Sequence, residues 1–489
     1  MLKPDEIYAL IQDDSTSERK HSAEVGRRYY DGKHDIQNYK LYYYNADGKL
    51  VEDTTRSNIK ISHPFFTELV DQCVQYMLSG KESFVKSDNP ELQSELDLYF
   101  GDDFKSELAE TLTDTCTCGF GHMYAYKNKD NRTAFVFADA MGVVEVRAKD
   151  TDDQTEYVIY WYIDRIDKGK KKIKRIQVWD KSNVTYFVEV DEGKIKLDKS
   201  EPQNPRPHVI YEKDGEEGKF GDSLGYIPFF RLDNNRKQTN HLKPIKDLID
   251  DYDLMSCGLS NNIQDVSEAV WVVKGFQGDN LEEMIQNVKS KKHIGVEPDG
   301  DVDIKTISIP YEARKIKMET DEKNIYRFGM GFNSAQLGDG NITNIVIKSR
   351  YALLDLKCNK LEIRLKAFLK NLVKIALQEI NEEKETDYQP KDVYFEFDRE
   401  VMTNATDNAT IEMTKAQTKQ FLMTTLLNAA SLLDEETVLK AICDILEIDF
   451  EEVKDKIPKQ PQTDLNAASE KLAGVVPQEG GDDGGGESV

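Results

Sequence analysis

Basic residues are in deficit. Lys plus Arg number 65 against 90 Asp plus Glu, which leaves a formal charge of −25. That balance argues against tight, general binding of nucleic acid, which needs basic surface and released counterions. It leaves open a surface past which a polyanion moves without sticking, although solubility through repulsion is the plainer reading. Long apolar runs are missing as well. No run of 18 apolar residues exists, so no membrane partner is expected. The opening MLKPDEIYAL has no basic-then-apolar signal pattern, and a reduced, cytosolic site of synthesis is the expectation. Six cysteines, Cys73, Cys116, Cys118, Cys257, Cys358 and Cys443, are scattered without a C-x-x-C pair. The close pair Cys116-Thr-Cys118 reads as core packing before metal or redox use.

Catalytic constellations are absent too. There is no G-x-x-x-x-G-K-[ST] phosphate loop, hence no nucleotide-driven motor of that kind. H-E-x-x-H and G-x-S-x-G do not occur, and the 7 histidines lie far apart in sequence. Neither an enzyme nor a cofactor is expected. Asp250-Asp251-Tyr-Asp253 is the exception to weigh. It could hold a divalent ion or supply paired carboxylates to a metal-dependent hydrolase or nuclease; a solvated helix face is the commoner use of such a cluster.

What is present centres on Pro310–Glu382. A charged helical run, Pro310–Phe328, leads to a Gly/Asn-rich break, Gly329–Asn344, and then to a long helical run, Ile345–Glu382. In the last, Ile347, Tyr351, Leu354, Cys358, Leu361, Leu365, Phe368, Leu372 and Ile375 recur at alternating fours and threes, an apolar seam of coiled-coil type. Neither proline nor glycine falls between Asn341 and Pro390. Such a rod spans on the order of 55 Å.

The 489 residues allow two to four domains. Residues 1–30 read as helical, and an aromatic, turn-rich connection follows through Asp47-Gly48. Helices are expected over His63–Ser79, Asn89–Phe100 and Phe104–Cys116. From Gly119 the period switches to strands: Met123–Tyr126, Thr133–Ala138, Val143–Arg147, Tyr157–Ile163, Ile173–Trp179 and Val184–Val190, an antiparallel meander. Pro244–Val270 reads as one helix, with Gly258 compensated by a close contact. A strand-helix-strand-strand insert, Trp271–Gly275, Leu281–Lys289, His293–Val296 and Val302–Ile307, precedes the return through Pro310–Phe328, whose thin stripe of Tyr311, Met318 and Ile325 is surrounded by charge. Asp392-Val-Tyr-Phe-Glu-Phe-Asp reads as a strand joining the earlier sheet. Ala409–Leu433 and Asp434–Leu446 read as helices. From Pro461 the Gly-rich, acidic tail has too little apolar surface to fold. Phe328-Gly-Met-Gly-Phe reads as a hinge or tight turn, since no strand feeds it. Lys289, Lys291, Lys292 and His293 form a modest basic patch: surface lysines, or a contact for acidic DNA or protein.

Several short passages follow one another along the chain: Tyr29-Tyr-Asp-Gly-Lys-His-Asp-Ile, Ser57-Asn-Ile-Lys-Ile-Ser-His-Pro, Val70-Asp-Gln with Tyr76-Met-Leu-Ser-Gly-Lys, and Gly119-Phe-Gly-His-Met-Tyr-Ala-Tyr. Gly225-Tyr-Ile-Pro-Phe, Leu248-Ile-Asp-Asp-Tyr-Asp with Ser256, and Asp392-Val-Tyr-Phe-Glu-Phe-Asp-Arg complete the series, together covering about residues 25–455. In order and spacing they resemble the portal proteins of tailed double-stranded DNA bacteriophages, of the siphovirus type.

The resemblance implies an α+β, mostly helical subunit in a ring of about twelve, closed by heterologous contacts. It implies a wing (1–237), stem helices (238–268 and 310–328) and an α/β clip (269–309). A tunnel loop (329–344), a long helix with a returning wing strand (345–398), a helical crown (399–460) and a tail (461–489) complete the plan. Asn333, Ser334, Gln336, Asp339, Asn341, Thr343 and Asn344 would then face DNA in the channel, polar enough to touch phosphates without holding them, with Asp339 repelling them. Lys289, Lys291, Lys292 and His293 would face a motor or adaptor. Tyr351, Leu354, Leu361, Leu365, Phe368 and Leu372 would mount the loop. Implied partners are the major capsid protein, scaffolding protein, terminase, a head-completion protein and transient double-stranded DNA; the implied location is the virion's portal vertex, assembled in host cytoplasm. A ring-forming adaptor with no DNA in its bore is the other structural reading.

Overall fold

The computed structural model describes residues 2–45, 47–54, 56–80, 83–148, 155–166, 171–191, 193–212, 219–266, 270–276, 296–305, 311–333, 344–399, 405–446, 448 and 450. The chain divides into two compact units, Met1–Leu337 with Arg350–Val401, and Gly338–Ser349 with Met402–Val489.

The first unit opens with α1 (Pro4–Ser15) and α2 (Glu18–Tyr30). The Ser17 hydroxyl caps α2 by accepting from the Lys20 amide at 3.2 Å. A small hairpin, β1 (Tyr42–Tyr44) and β2 (Leu50–Glu52), forms at the end of the expected turn-rich connection. Then come α3 (Phe65–Met77), β3 (Val85–Lys86), α4 (Pro90–Tyr99) and α5 (Asp102–Cys118). Asn89 caps α4 just ahead of Pro90, whose missing N–H costs nothing in a first turn. Gly119 ends α5 at φ 91°, and the Gln238 carbonyl oxygen would sit 2.2 Å from any Cβ there. Backbone and neighbour both demand glycine.

The expected single meander is two sheets. β4 (Phe120–Lys127) and β5 (Thr133–Ala138) pair with β14 (Phe229–Asp233) in the order β14-β4-β5. β6 (Val143–Arg147), β7 (Thr155–Ile166), β8 (Lys171–Trp179), β9 (Asn183–Asp191) and β10 (Lys194–Leu197) form the meander proper, and β11 (Arg206–Pro207) adds to β9. The turn through Asp139–Gly142 redirects the chain between the sheets. There the buried Lys20 ammonium donates to the carbonyls of Ala140 (2.6 Å) and Val143 (2.9 Å). β12 (Val209–Glu212) and β13 (Lys219–Asp222) form a separate hairpin.

After α6 (Lys246–Val266), shorter than the expected Pro244–Val270, Val270 opens β15 (Val270–Phe276). That strand pairs with β16 (Val296–Lys305), which replaces the two strands expected at His293–Val296 and Val302–Ile307. The partners step from Asp301 to Val296 as those on β15 step from Lys274 to Phe276, so Pro298 and Gly300 sit in a bulge rather than a turn. The helix expected at Leu281–Lys289 lies outside the described residues. The chain continues as α7 (Tyr311–Gly329) and α8 (Asn344–Lys384), the latter 41 residues long. β17 (Tyr394–Phe395) pairs with β3, not with either larger sheet, because Phe395 lies opposite Val85 beside α4.

The main core gathers α3, α5, the three-stranded sheet and α8 around Phe66, Leu69, Leu108, Leu112, Met123, Leu361 and Leu365. A second cluster sets Ile7 and Ile11 of α1 against Ile159, Ile176 and Phe187 of the meander. In the other unit, α9 (Ala405–Ala429) and α10 (Glu435–Leu446) pack together, a short 3-10 turn at Ala430–Leu432 replacing the end of the expected single helix. Asp434 starts α10 by accepting from the Thr437 amide at 2.8 Å. Among the described residues, no helix is long and apolar enough to cross a membrane.

Candidate functional site

Two helices bracket the β15–β16 insert and pack on one another, α6 before it and α7 after it. Gly258 lets them approach: a Cβ there would stand 3.0 Å from the Arg314 guanidinium, which crosses α6 at that point. Lys317 of α7 bridges Asp251 of α6 and Asp321 of its own helix. Of the expected stripe only Ile325 is buried; Tyr311, Ile316 and Phe328 stand about half exposed. At the lower end, Phe65 meets Tyr252 edge-on at 4.9 Å and Tyr326 at 6.0 Å. The Tyr326 hydroxyl donates to Glu68 at 2.5 Å; burial, then that carboxylate, pushes its pKa up.

The end of α7 is where the Gly/Asn-rich break begins. Gly331 N–H reaches back to the Tyr326 carbonyl (2.9 Å) and Met330 N–H to that of Arg327 (3.3 Å), the paired bonds of a Schellman stop. The left-handed position belongs to Met330, at φ 54°, and not to either glycine. The glycines answer a different need. A Cβ on Gly329 would lie 2.6 Å from Leu69, and one on Gly331 would lie 2.0 Å from it. Phe-Gly-Met-Gly-Phe is therefore a packed stop clamped onto α3: of the two readings, hinge or tight turn, the structure has the tight turn.

Three further contacts pin the same segment. Gln72 donates to the Phe332 carbonyl at 2.7 Å and accepts from its amide at 3.0 Å, as a neighbouring strand would. Phe332 stacks on Tyr351 with ring centroids 4.8 Å apart. The buried Lys357 ammonium donates to the Gly329 carbonyl at 3.0 Å, a cation at a helix C-terminus where the macrodipole favours it. Asn333 is tied back as well, its amide donating to Glu322 at 2.8 Å.

The Asp cluster is neither solvated nor open. Asp253 is fully buried, accepting from His34 Nδ1 at 2.6 Å, from His63 Nδ1 at 2.7 Å and from the His63 amide at 3.0 Å. Burial pushes its pKa up, but the bonds from His34 and His63 outweigh that and hold it below the usual carboxylate value. Asp250 takes Lys246 at 2.7 Å and the Tyr29 hydroxyl. Lys246 also reaches Asp35 at 2.6 Å, whose pKa, despite burial, is lowered to about 2 by Lys246 and Arg28. Asp250 and Asp253, three residues apart, share the face of α6 turned to Tyr29 and His34, while Asp251 turns to Lys317 of α7; each has partners of its own, and the solvated-face reading fails at Asp253. The network ties α6 to α2 and the chain after it.

Of the expected channel residues, Asn333 belongs to the anchor and Asn344 opens α8. Ser334, Gln336, Asp339, Asn341 and Thr343 lie outside the described residues, as do Lys289, Lys291, Lys292 and His293. Leu354, Leu361, Leu365, Phe368 and Leu372 are buried and Tyr351 is partly buried. Leu369, Val373, Ala376, Leu377 and Ile380 are buried beside them, so the face widens beyond a coiled-coil seam. It packs into the chain's own core. Sequence reasoning placed Leu69 on the apolar face of its helix but missed Leu69, Gln72 and Lys357 as parts of this anchor; Lys357, flanked by Asp355 and Lys360, looks like any surface lysine in sequence.

Two helices thus bracket an insert, and the second ends in a clamped stop from which a polar, Gly/Asn-rich stretch of sequence leads to a long core helix. A model of the family described as phage portal protein, SPP1 Gp6-like, matches residues 11–456. The chain belongs to that family of phage portal proteins. It is 28% identical over 349 residues to a protein named portal protein from Bacillus phage SPP1, covering 71% of this chain and 67% of that one. A portal protein of Clostridium phage phiCD119 is 26% identical over 429 residues, 84% of this chain and 89% of its own.

Proposed function

We propose that this portal protein assembles into a closed ring of about twelve subunits at one vertex of the capsid. Double-stranded DNA enters and leaves through its bore. Family membership along nearly the whole chain carries the reading. A second observation supports the ring: Leu353, Leu356 and Ile363 lie exposed on the side of α8 away from its buried face, Ile363 at 72%. Large apolar side chains at helical spacing on a surface fit a subunit interface better than open solvent. The −25 charge fits a bore that does not retain a polyanion.

In this reading the loop between Asn333 and Asn344 meets DNA, and the anchor on Leu69, Gln72 and Lys357 keeps its origin fixed while DNA slides. The β15–β16 insert, with Lys289, Lys291, Lys292 and His293 in its connection, docks terminase and then the head-completion protein. The major capsid and scaffolding proteins hold the ring's outer parts. The test is deletion of Ser334–Asn341, sparing the Asn333 anchor. Rings of wild-type size by negative-stain imaging, with packaging of DNA abolished, are expected. Normal packaging would refute the loop's role, and a monomer at every concentration would refute the ring.

A further inference from the structure

Three cysteines far apart in sequence meet inside the first unit. Cys73 comes from α3, Cys116 from α5 and Cys358 from α8, and all are buried. Cys73 and Cys358 stand 3.7 Å apart, sulfur to sulfur. The Cys73 and Cys116 sulfurs and a ring nitrogen of His241 lie within 4.8 Å of one another. His241 is placed by its own backbone, whose amide donates to the Cys116 carbonyl at 2.9 Å.

We propose that Cys73, Cys116 and Nδ1 of His241 hold a structural zinc ion, with the Cys358 sulfur, which touches Cys73 but stands outside that group of three, turning in to complete the tetrahedron. Three thiolates and one imidazole are a standard donor set for structural zinc. With Zn–S near 2.3 Å, tetrahedral geometry puts neighbouring sulfurs about 3.8 Å apart, close to the 3.7 Å between Cys73 and Cys358. A disulfide would need a sulfur separation of about 2.05 Å.

The histidine carries the second, independent observation. Its Nε2 faces Asn234 Oδ1 at 3.1 Å. The Asn234 amide nitrogen donates to the Thr239 carbonyl at 2.7 Å, which fixes the flip and leaves Oδ1 as the acceptor for Nε2–H. Nδ1 then carries the lone pair, is shielded from solvent and has no hydrogen-bond partner. An orphaned buried acceptor costs about 1–3 kcal/mol, and a metal would relieve that. A ligating histidine donating its other N–H to a carbonyl oxygen is the usual second-sphere arrangement. Zinc with three thiolates carries a net single negative charge after three thiol protons leave to solvent. The Lys357 ammonium, whose charge acts on Cys73 and His241, offsets it.

The test uses the full-length, untagged chain, purified under reducing conditions without chelator, with zinc measured by atomic spectroscopy. About one zinc per chain is expected, and cobalt(II) added to the demetallated chain should give thiolate charge-transfer and tetrahedral ligand-field bands. His241→Ala should lose the metal, and Asn234→Ala should weaken zinc by about 10- to 100-fold. Cys116→Ser, at the centre of the core, risks misfolding; the cobalt titration of wild-type protein reads the same site without a substitution. A folded chain with no zinc and no cobalt–thiolate band, or a Cys73–Cys358 disulfide whose reduction restores no metal binding, overturns the proposal.

Discussion

Gly331→Ala is the sharpest probe of the loop anchor. The new methyl would stand 2.0 Å from Leu69 Cδ2 and 3.5 Å from Leu69 Cγ, with Gln72 Oε1 at 3.2 Å. Leu69 is buried at 1% exposure and has no empty side to retreat into. Overpacking of this kind costs about 1–3 kcal/mol. Gly331 is not in the left-handed region, so alanine also stiffens the unfolded chain, a gain of roughly 0.4–1 kcal/mol. The net expectation is a loss of up to about 2.6 kcal/mol from those two terms. Leu69→Ala alone should cost about 2–5 kcal/mol by opening a cavity. In that background the 2.0 Å clash with Leu69 disappears and only the 3.2 Å contact with Gln72 Oε1 remains. Gly331→Ala should then cost clearly less than in the wild-type chain, the stiffer unfolded chain offsetting much of what is left. Urea melts of the four chains at one protein concentration read the cycle. Additive effects within about 0.5 kcal/mol would mean the glycine is not there to admit Leu69.

Two further outcomes follow from buried groups. Leu365, fully buried in the α8 face, should cost about 2–5 kcal/mol when cut to alanine, whereas Tyr351, Leu361 and Phe368 replaced together by Asp should prevent soluble assembly; soluble rings of normal size would show the face unburied. Asp253 has a depressed folded-state pKa, so its stabilisation is complete above the unfolded value of about 3.9 and fades as pH falls through the lower folded value. Asp253→Asn orphans at least one donor and should cost about 1–3 kcal/mol. It should also flatten the acid limb of a stability-against-pH curve; an unchanged limb would assign the acid sensitivity elsewhere.

The helices were legible where periodicity was strong. Phe66, Leu69, Val70, Val74 and Met77 sit on one face at helical spacing, and α3 forms there with all of them buried. The seam of α8 was legible for the same reason. Its width was not: Leu369, Val373 and Ala376 fill a second row only because α8 enters the chain's own core instead of facing one partner helix. The strands β4 to β9 were found individually, but β1–β3 and β10–β13 were not, and the division into two sheets was hidden. Pairing of β14 with β4 depends on a return of about a hundred residues, which alternation within a strand does not encode.

The candidate site shows the same limit more sharply. Phe328-Gly-Met-Gly-Phe has one local reading for a flexible turn and an identical one for a rigid clamp. Glycine serves both, through conformational freedom in the first and through its missing Cβ in the second. The two differ only in whether a side chain from elsewhere occupies the vacant volume. Here Leu69 does, across some 260 residues of chain, and the left-handed residue is Met330 between the glycines. A hinge would have placed a glycine at the positive φ and left space around it. The clamp accepts a strained methionine so that both glycines can lie against α3. In the proposed channel a loop that holds its origin against a moving duplex would need that second arrangement, since a segment free to swing would transmit the load to nothing.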